Sequence, residues 1–358
     1  TICVHYYRYD EQYDGWRLWA WTDGEPGIDR PFDGTDGFGR IATLTVKPGT
    51  RRIGLLLRRR SDVADWAERD GGERYADVEA LPAQDDGNGE RRAIWLIQGR
   101  ADWFADPAQA QGALREADAE MTDLHGIRIA TGVPLKPDRD YGWRLLAGEQ
   151  PATSTATAGI AVEALNADRH GYATEFRCRS EQPLDPHVPY TLVHEQRGIR
   201  AAVRLGGVFD CPLFHERYTY RGDDLGCTYA PEETRFRLWA PTAAEAFVVL
   251  YDTWDAPSGR ALPMERGEQG TWTLTVPRDL HGTYYTYRVR VLGEWAEAAD
   301  PYARAVSVNG DRAAVIDLKR SDPEGWQADA RPPLLHATDA IIYEVHVRDF
   351  SIHPESGM

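Results

Sequence analysis

The feature that most limits what this chain can fold into is alternation. In the stretch Asp223–Asp252, the run Thr234–Trp239 is of alternating character, with Phe236 and Leu238 on one side and Arg235 and Arg237 on the other. A proline-marked turn, Ala240-Pro241-Thr242-Ala243, separates it from a second strand-like run, Ala246–Tyr251. Side chains alternate across a strand with a period of two, so such runs fit a half-buried sheet and not a helix. Short strands broken by a proline turn read as the opening of a small β-sandwich.

The same pattern recurs from the start of the chain. Ile2–Tyr7, Arg17–Trp21, Phe38–Val46, Arg52–Arg58 and Ala93–Gln98 read as strands joined by Gly, Pro and Asp turns. In the second of these, Leu18 and Ala20 occupy one face while Trp19 and Trp21 occupy the other. One face must look outward, so an exposed aromatic platform competes with a core tryptophan pair. Flat rings of this kind stack on the apolar faces of sugar rings, and neighbouring polar groups then bond the hydroxyls. Composition narrows the partner. A formal net charge of −16 argues against nucleic acid, which selects a basic surface, and leaves a neutral polysaccharide open. No apolar run approaches the length of a membrane span, and Thr1 opens directly on a strand-like segment without a leader.

Further along, Pro107–Asp118 has helical composition interrupted by Gly112. Gly126–Ala130, Gly159–Leu165 and Ile199–Leu205 read as strands, and Pro151–Ala158 as a low-complexity loop. His125, His170, His187 and His194 read as scattered polar-loop residues. The four cysteines, Cys3, Cys178, Cys211 and Cys227, have no metal-ligand spacing. Cys211 and Cys227 could pair across the start of a third module; otherwise the thiols are isolated. Strand-like runs Trp272–Val276 and Tyr284–Val291 continue that module. Near the end, Ala340–Val345 is an apolar strand-like run followed by His346, Arg348 and Asp349.

Three resemblances follow the chain in order. VHYYRYDEQYDGWRLWAW, then FDGTDGFGRIATL, then IGLLLRRRSDVADWAERD, resembles a family-41 carbohydrate-binding module. That resemblance implies α-glucan binding through Trp19, Trp21, Trp66 and Asp70, with Arg69 where the family usually has lysine. A forked guanidinium donates differently from an ammonium, so the bonding geometry at Arg69 departs from the family's. The form LGxxYxPxxTxFRLWAPTA, and later GxYYxYxV and DPYA with NG, resembles a family-48 module. In that module Trp254, Trp272, Trp295 and the tyrosines are expected in the core or an interface. Asp339–Phe350 is similar to the first barrel strand of glycoside hydrolase family 13, and the order of all three is that of type I pullulanases.

The expected architecture is therefore all-β: tandem immunoglobulin-like β-sandwich modules ending in the first strand of an incomplete TIM barrel. The expected divisions are an α-glucan-binding module over 1–105, an inter-module β-domain or spacer over 106–210, a family-48-like sandwich over 211–320, and a linker with the barrel strand over 321–358. The resemblance implies an accessory region of an enzyme that cuts α-1,6 branch linkages in pullulan, amylopectin or glycogen by a retaining mechanism. Such hydrolysis needs two carboxylates, which that family carries on later barrel strands, so no catalytic residue is expected in this chain. Its partners would be the α-glucan and its own catalytic barrel, with no nucleic acid and no membrane. Its location would be extracellular, secreted or at a bacterial-type cell surface. No cofactor is required, and no metal ligand is assigned. Calcium is possible in a full-length protein. The alternative is a non-catalytic α-glucan-binding surface protein. A branching enzyme or isoamylase fits less well, because such chains usually lack the Leu-Trp-x-Trp module.

Overall fold

A computed structural model describes residues 1–60, 68–85, 90–136, 142–148, 155–157, 160–330 and 333–357. The first module consists of ten strands, β1 (Ile2–Tyr7), β2 (Trp16–Thr22), β3 (Ile28–Arg30), β4 (Gly34–Thr35), β5 (Arg40–Leu44), β6 (Arg52–Arg59), β7 (Glu68–Asp77), β8 (Gln84–Asp85), β9 (Glu90–Ile97) and β10 (Trp103–Phe104). They form two sheets. One is ordered β10-β9-β1-β5-β4, with β8 beside β9, and the other β3-β2-β6-β7. Their inner faces meet in a core that includes Ile2, Val4, Leu18, Ala20, Leu55, Leu57 and Ile94. All pairings are antiparallel except β1 with β9, as expected where most connections are short.

Helix α1 (Pro107–Arg115) follows. Asp106 caps it by accepting a hydrogen bond from the Ala108 amide, and Pro107 opens its first turn, where no amide donor is needed. Gly112 is accommodated within it. The second module is one eight-stranded sheet ordered β14-β13-β17-β18-β11-β12-β16-β15. Its strands are β11 (Ala117–Asp123), β12 (Gly126–Leu135), β13 (Trp143–Ala147), β14 (Thr155–Thr157), β15 (Ile160–Ala164), β16 (Ala173–Ser180), β17 (Tyr190–His194) and β18 (Ile199–Leu205). Its core continues into the first module through Phe38, Trp95 and Ile97. One of the histidines departs from the expectation of a polar loop: His194 ends β17 fully buried, edge-on to Trp143.

Helix α2 (Pro212–Tyr218) leads to the third module. Its strands are β19 (Gly226–Tyr229), β20 (Thr234–Trp239), β21 (Glu245–Tyr251), β22 (Arg260–Pro263), β23 (Glu265–Arg266), β24 (Thr271–Val276), β25 (Tyr284–Val291), β26 (Glu294–Ala298) and β27 (Ala313–Ala314). Sheets β19-β20-β24-β23 and β22-β21-β25-β26, with β27 beside β25, close over Phe236, Val248, Leu250, Trp272 and Tyr285. All four cysteines are free thiols.

The expected barrel strand is not shown in this chain. Residues 340–345 form no strand, and Ile341, Ile342 and Tyr343 are exposed, Ile342 at 89%. A strand exists only in a ladder, and no described segment offers this run a hydrogen-bonding neighbour. His346 instead caps a short helix, α3 (Val347–Ser351), accepting from the Asp349 amide.

Candidate sugar-binding face

Strand β2 alternates as its sequence demands. Trp16, Leu18 and Ala20 point into the core, while Arg17, Trp19 and Trp21 point outward. Two glycines let the indoles lie flat on the sheet. A Cβ on Gly27 would fall 2.4 Å from the Trp19 ring, and one on Gly54 would fall 2.1 Å from the Trp21 ring. Gly54 stands opposite Trp21 on β6. The missing side chain is what leaves room for the ring.

Charged groups hold this surface in place. The Arg58 guanidinium carbon lies 4.1 Å from the centroid of Trp19, close enough for a cation–π contact. Arg58 also donates to Asp29 at 2.7 Å, and Arg17 donates to the other oxygen of the same carboxylate. Burial disfavours the Asp29 anion, but the hydrogen bonds and charges of Arg58 and Arg17 outweigh burial and lower its pKa. Asp29 lies opposite Trp19 on β3. The indole is thus flanked by two arginines that share one carboxylate.

Arg69 stands opposite Arg58 on β7 and is exposed, on the same outward face as the tryptophans. Trp66 lies outside the described residues. Asp70 does not join that face. It is 6% exposed, and its carboxylate accepts from the Gly99 amide at 2.7 Å and from the Tyr6 hydroxyl at 2.8 Å. Arg74 lies 3.7 Å from it, and Arg8 donates to the same Tyr6 hydroxyl. Asp70 therefore ties β7 to the core and to the loop after β9.

A residue that sequence reasoning missed is Tyr75. The pairing of β6 with β7 shifts register between Leu55 and Leu57, and beyond that bulge Tyr75 faces outward opposite Gly54. Its ring stands at 89° to Trp21, with centroids 5.7 Å apart, and Arg52 stacks on it at 4.2 Å. The legible signal was Gly54 itself, since a glycine within a strand often marks a bulge or a close approach.

The third module carries a second outward aromatic face. Trp295 on β26 packs against Phe247 on β21, with Arg288 at 4.8 Å and Arg290 at 5.7 Å from its ring. Trp254 lies in the loop after β21, which Arg312 ties down by donating to the Thr253 and Ala256 carbonyls. Trp295 is 42% and Trp254 49% exposed. Of the expected core or interface positions, these two are not in the core, whereas Trp272 is buried.

Among the described residues, no cluster of His, Cys, Asp and Glu could hold a metal ion. No helix there is long and apolar enough to cross a membrane.

Two family models match the chain. Residues 1–105 match the bacterial pullanase-associated domain, and residues 224–303 match carbohydrate-binding module 48, the isoamylase N-terminal domain. The pullulanase of Bacillus subtilis is 37% identical over 193 residues, 53% of this chain and 26% of that protein. Pullulanase A of Streptococcus pneumoniae is 25% identical over 385 residues, 99% of this chain and 28% of that protein. The crystal structure of a pullulanase from Anoxybacillus sp. LM18-11 complexed with maltotriose aligns with a TM-score of 0.53 at 32% identity, covering 68% of this chain and 33% of that one. The chain thus spans about a quarter to a third of the length of these relatives. The two module matches and the pullulanase relatives together support the chain as the N-terminal region of a pullulanase.

Proposed function

We propose that this chain is the α-glucan-binding accessory region of an enzyme that hydrolyses α-1,6 branch linkages in pullulan, starch or glycogen by a retaining mechanism. The observation that carries the reading is the outward Trp19–Trp21 pair, laid flat over Gly27 and Gly54 and flanked by the Arg58–Asp29–Arg17 cluster. An uncharged sugar chain offers apolar ring faces for the indoles and hydroxyls for the arginines. Arg69, on the same face, adds donors. The relative solved with maltotriose supports the substrate class.

The exposed Trp254 and Trp295, with Arg288 and Arg290, favour a second, weaker contact on the third module. Ile341, Ile342 and Tyr343 carry the apolar surface a partner domain would cover, and the enzyme's own catalytic barrel is the partner we assign. A secreted or cell-surface location fits a polymeric substrate. The non-catalytic alternative makes the same binding prediction without the barrel.

The test is affinity electrophoresis in a pullulan-containing gel. Trp19→Ala and Trp21→Ala should each lose most of the retardation. Unchanged retardation in both would place binding elsewhere.

A further inference from the structure

The outward face of β2 carries an arrangement that strand pairing alone would disfavour. Arg17 on β2 stands directly opposite Arg58 on β6, and Arg58 stands directly opposite Arg69 on β7. Like charges placed opposite each other across a ladder repel and destabilise it. Left to that repulsion, the guanidinium groups would turn apart into solvent. Arg58 does not. Its side chain is 10% exposed, so it is tucked into the surface instead of spread over it.

Asp29 is what draws it in. One carboxylate oxygen accepts from Arg58 Nη2 at 2.7 Å and from its Nε at 3.1 Å, and the other accepts from Arg17. Asp29 lies on β3, so Arg58 reaches over β2 to meet it. That reach brings the guanidinium to 4.1 Å from the ring centroid of Trp19, the residue opposite Asp29. The direct partner of Trp19 on β6 is Leu56, and Arg58 is only its diagonal neighbour. A diagonal contact needs a long side chain held in one direction, and the carboxylate sets that direction.

Resting on the reading of the Trp19–Trp21 face as an α-glucan site, we infer that Asp29 is a positioning residue for that site. It acts without touching the sugar. Asp29 holds Arg58, and Arg58 fixes the Trp19 indole, so the ring meets a ligand already ordered. Trp21 has no such requirement, because the Gly54 backbone supports it.

Calorimetry with maltotetraose on the 358-residue chain tests this, in a Trp295→Ala background that weakens the second face. Asp29→Ala should weaken binding about three- to tenfold, the range expected for losing one pre-ordered side chain. Arg58→Met should weaken it as much, and the double variant no more, because the two residues act in series. Combined with Trp19→Ala, Asp29→Ala should cost nothing further; combined with Trp21→Ala, it should keep its full cost. Asp29→Asn keeps the shape without the charge and replaces the alanine variant if a melting curve without sugar shows that variant unfolded. An Asp29 loss that adds to the Arg58 loss, or that survives removal of Trp19, overturns the positioning role. Unchanged affinity in both Asp29 variants does the same. Absence of tetraose binding in the parent chain, or undiminished binding when both tryptophans are alanine, overturns the reading of the face itself.

Discussion

The outward faces of the first and third modules use the same residue types with different supports. On β2 the indole of Trp21 rests on the Gly54 backbone, while Trp19 carries the Arg58 guanidinium 4.1 Å from its centroid. On β26 the indole of Trp295 sits among two arginines and Phe247 at a sheet edge. A ring supported by backbone has one face fixed and the other open. A ring flanked by guanidinium groups already has part of its surface satisfied. What lies beneath and beside a tryptophan decides its value as a platform, more than its fractional exposure does.

The comparison breaks most readily at Gly54. Gly54→Val places a branched side chain where the Trp21 ring lies, with even its Cβ at 2.1 Å. Overpacking of this kind costs about 1–3 kcal/mol, and displacing the ring should also remove binding. Thermal unfolding and gel retardation check the two effects, and normal binding in that variant would mean Trp21 is not held flat. Next come the rings themselves. Stacking on an aromatic side chain is worth about 1–3 kcal/mol by analogy with bases on aromatic platforms. Trp21→Ala should cost that much in glucan affinity, and Trp295→Ala distinctly less; equal losses would erase the distinction between the faces.

Asp70→Asn sharpens a different point. Its carboxylate is occupied by Gly99 and Tyr6, and weakening buried charged hydrogen bonds costs about 1–3 kcal/mol. The melting temperature should fall while affinity for glucan stays within twofold. A large drop in affinity with unchanged stability would make Asp70 a ligand contact after all.

The smallest effect is electrostatic, and its sign differs between the modules. The folded-state pKa of Asp29 is lowered, so its contribution is present above the unfolded value of about 3.9 and is lost as pH falls through the folded value. Burial is the main cause that raises the pKa of Asp300, in the third module, against the hydrogen bonds from Tyr285 and the Tyr302 amide. Its ionisation therefore costs stability as pH rises from the unfolded to the folded value. Between pH 3 and 6, Asp29→Asn should flatten a loss of stability on acidification, and Asp300→Asn should flatten a gain. Urea unfolding across that range would show whether the two slopes oppose each other.

Much of the first face was legible in the residues. Arg17–Trp21 alternates so regularly that placing Leu18 and Ala20 inside forces both tryptophans out. Asp70 and Tyr75 were not legible in the same way. Asp70, Arg74 and Ala76 face inward on both sides of the bulge in β7, but two of the three are charged, so no apolar alternation marks that face. Trp254 lies in a loop and Trp295 on the wholly exposed β26, where no alternation sorts an outward ring from a core one. Ala340–Val345 has the composition of a strand and no ladder to join, so its propensity goes unrealised.

What the sequence determined by itself is the all-β character, the outward tryptophan pair and the family resemblance, because each follows from period and local wording. Tertiary structure alone decided that Gly54 on β6 and Gly27 before β3 lay the indoles flat, and that Asp70 turns inward. Those depend on register between strands and on loops meeting in space, and neither is encoded within any single run of residues.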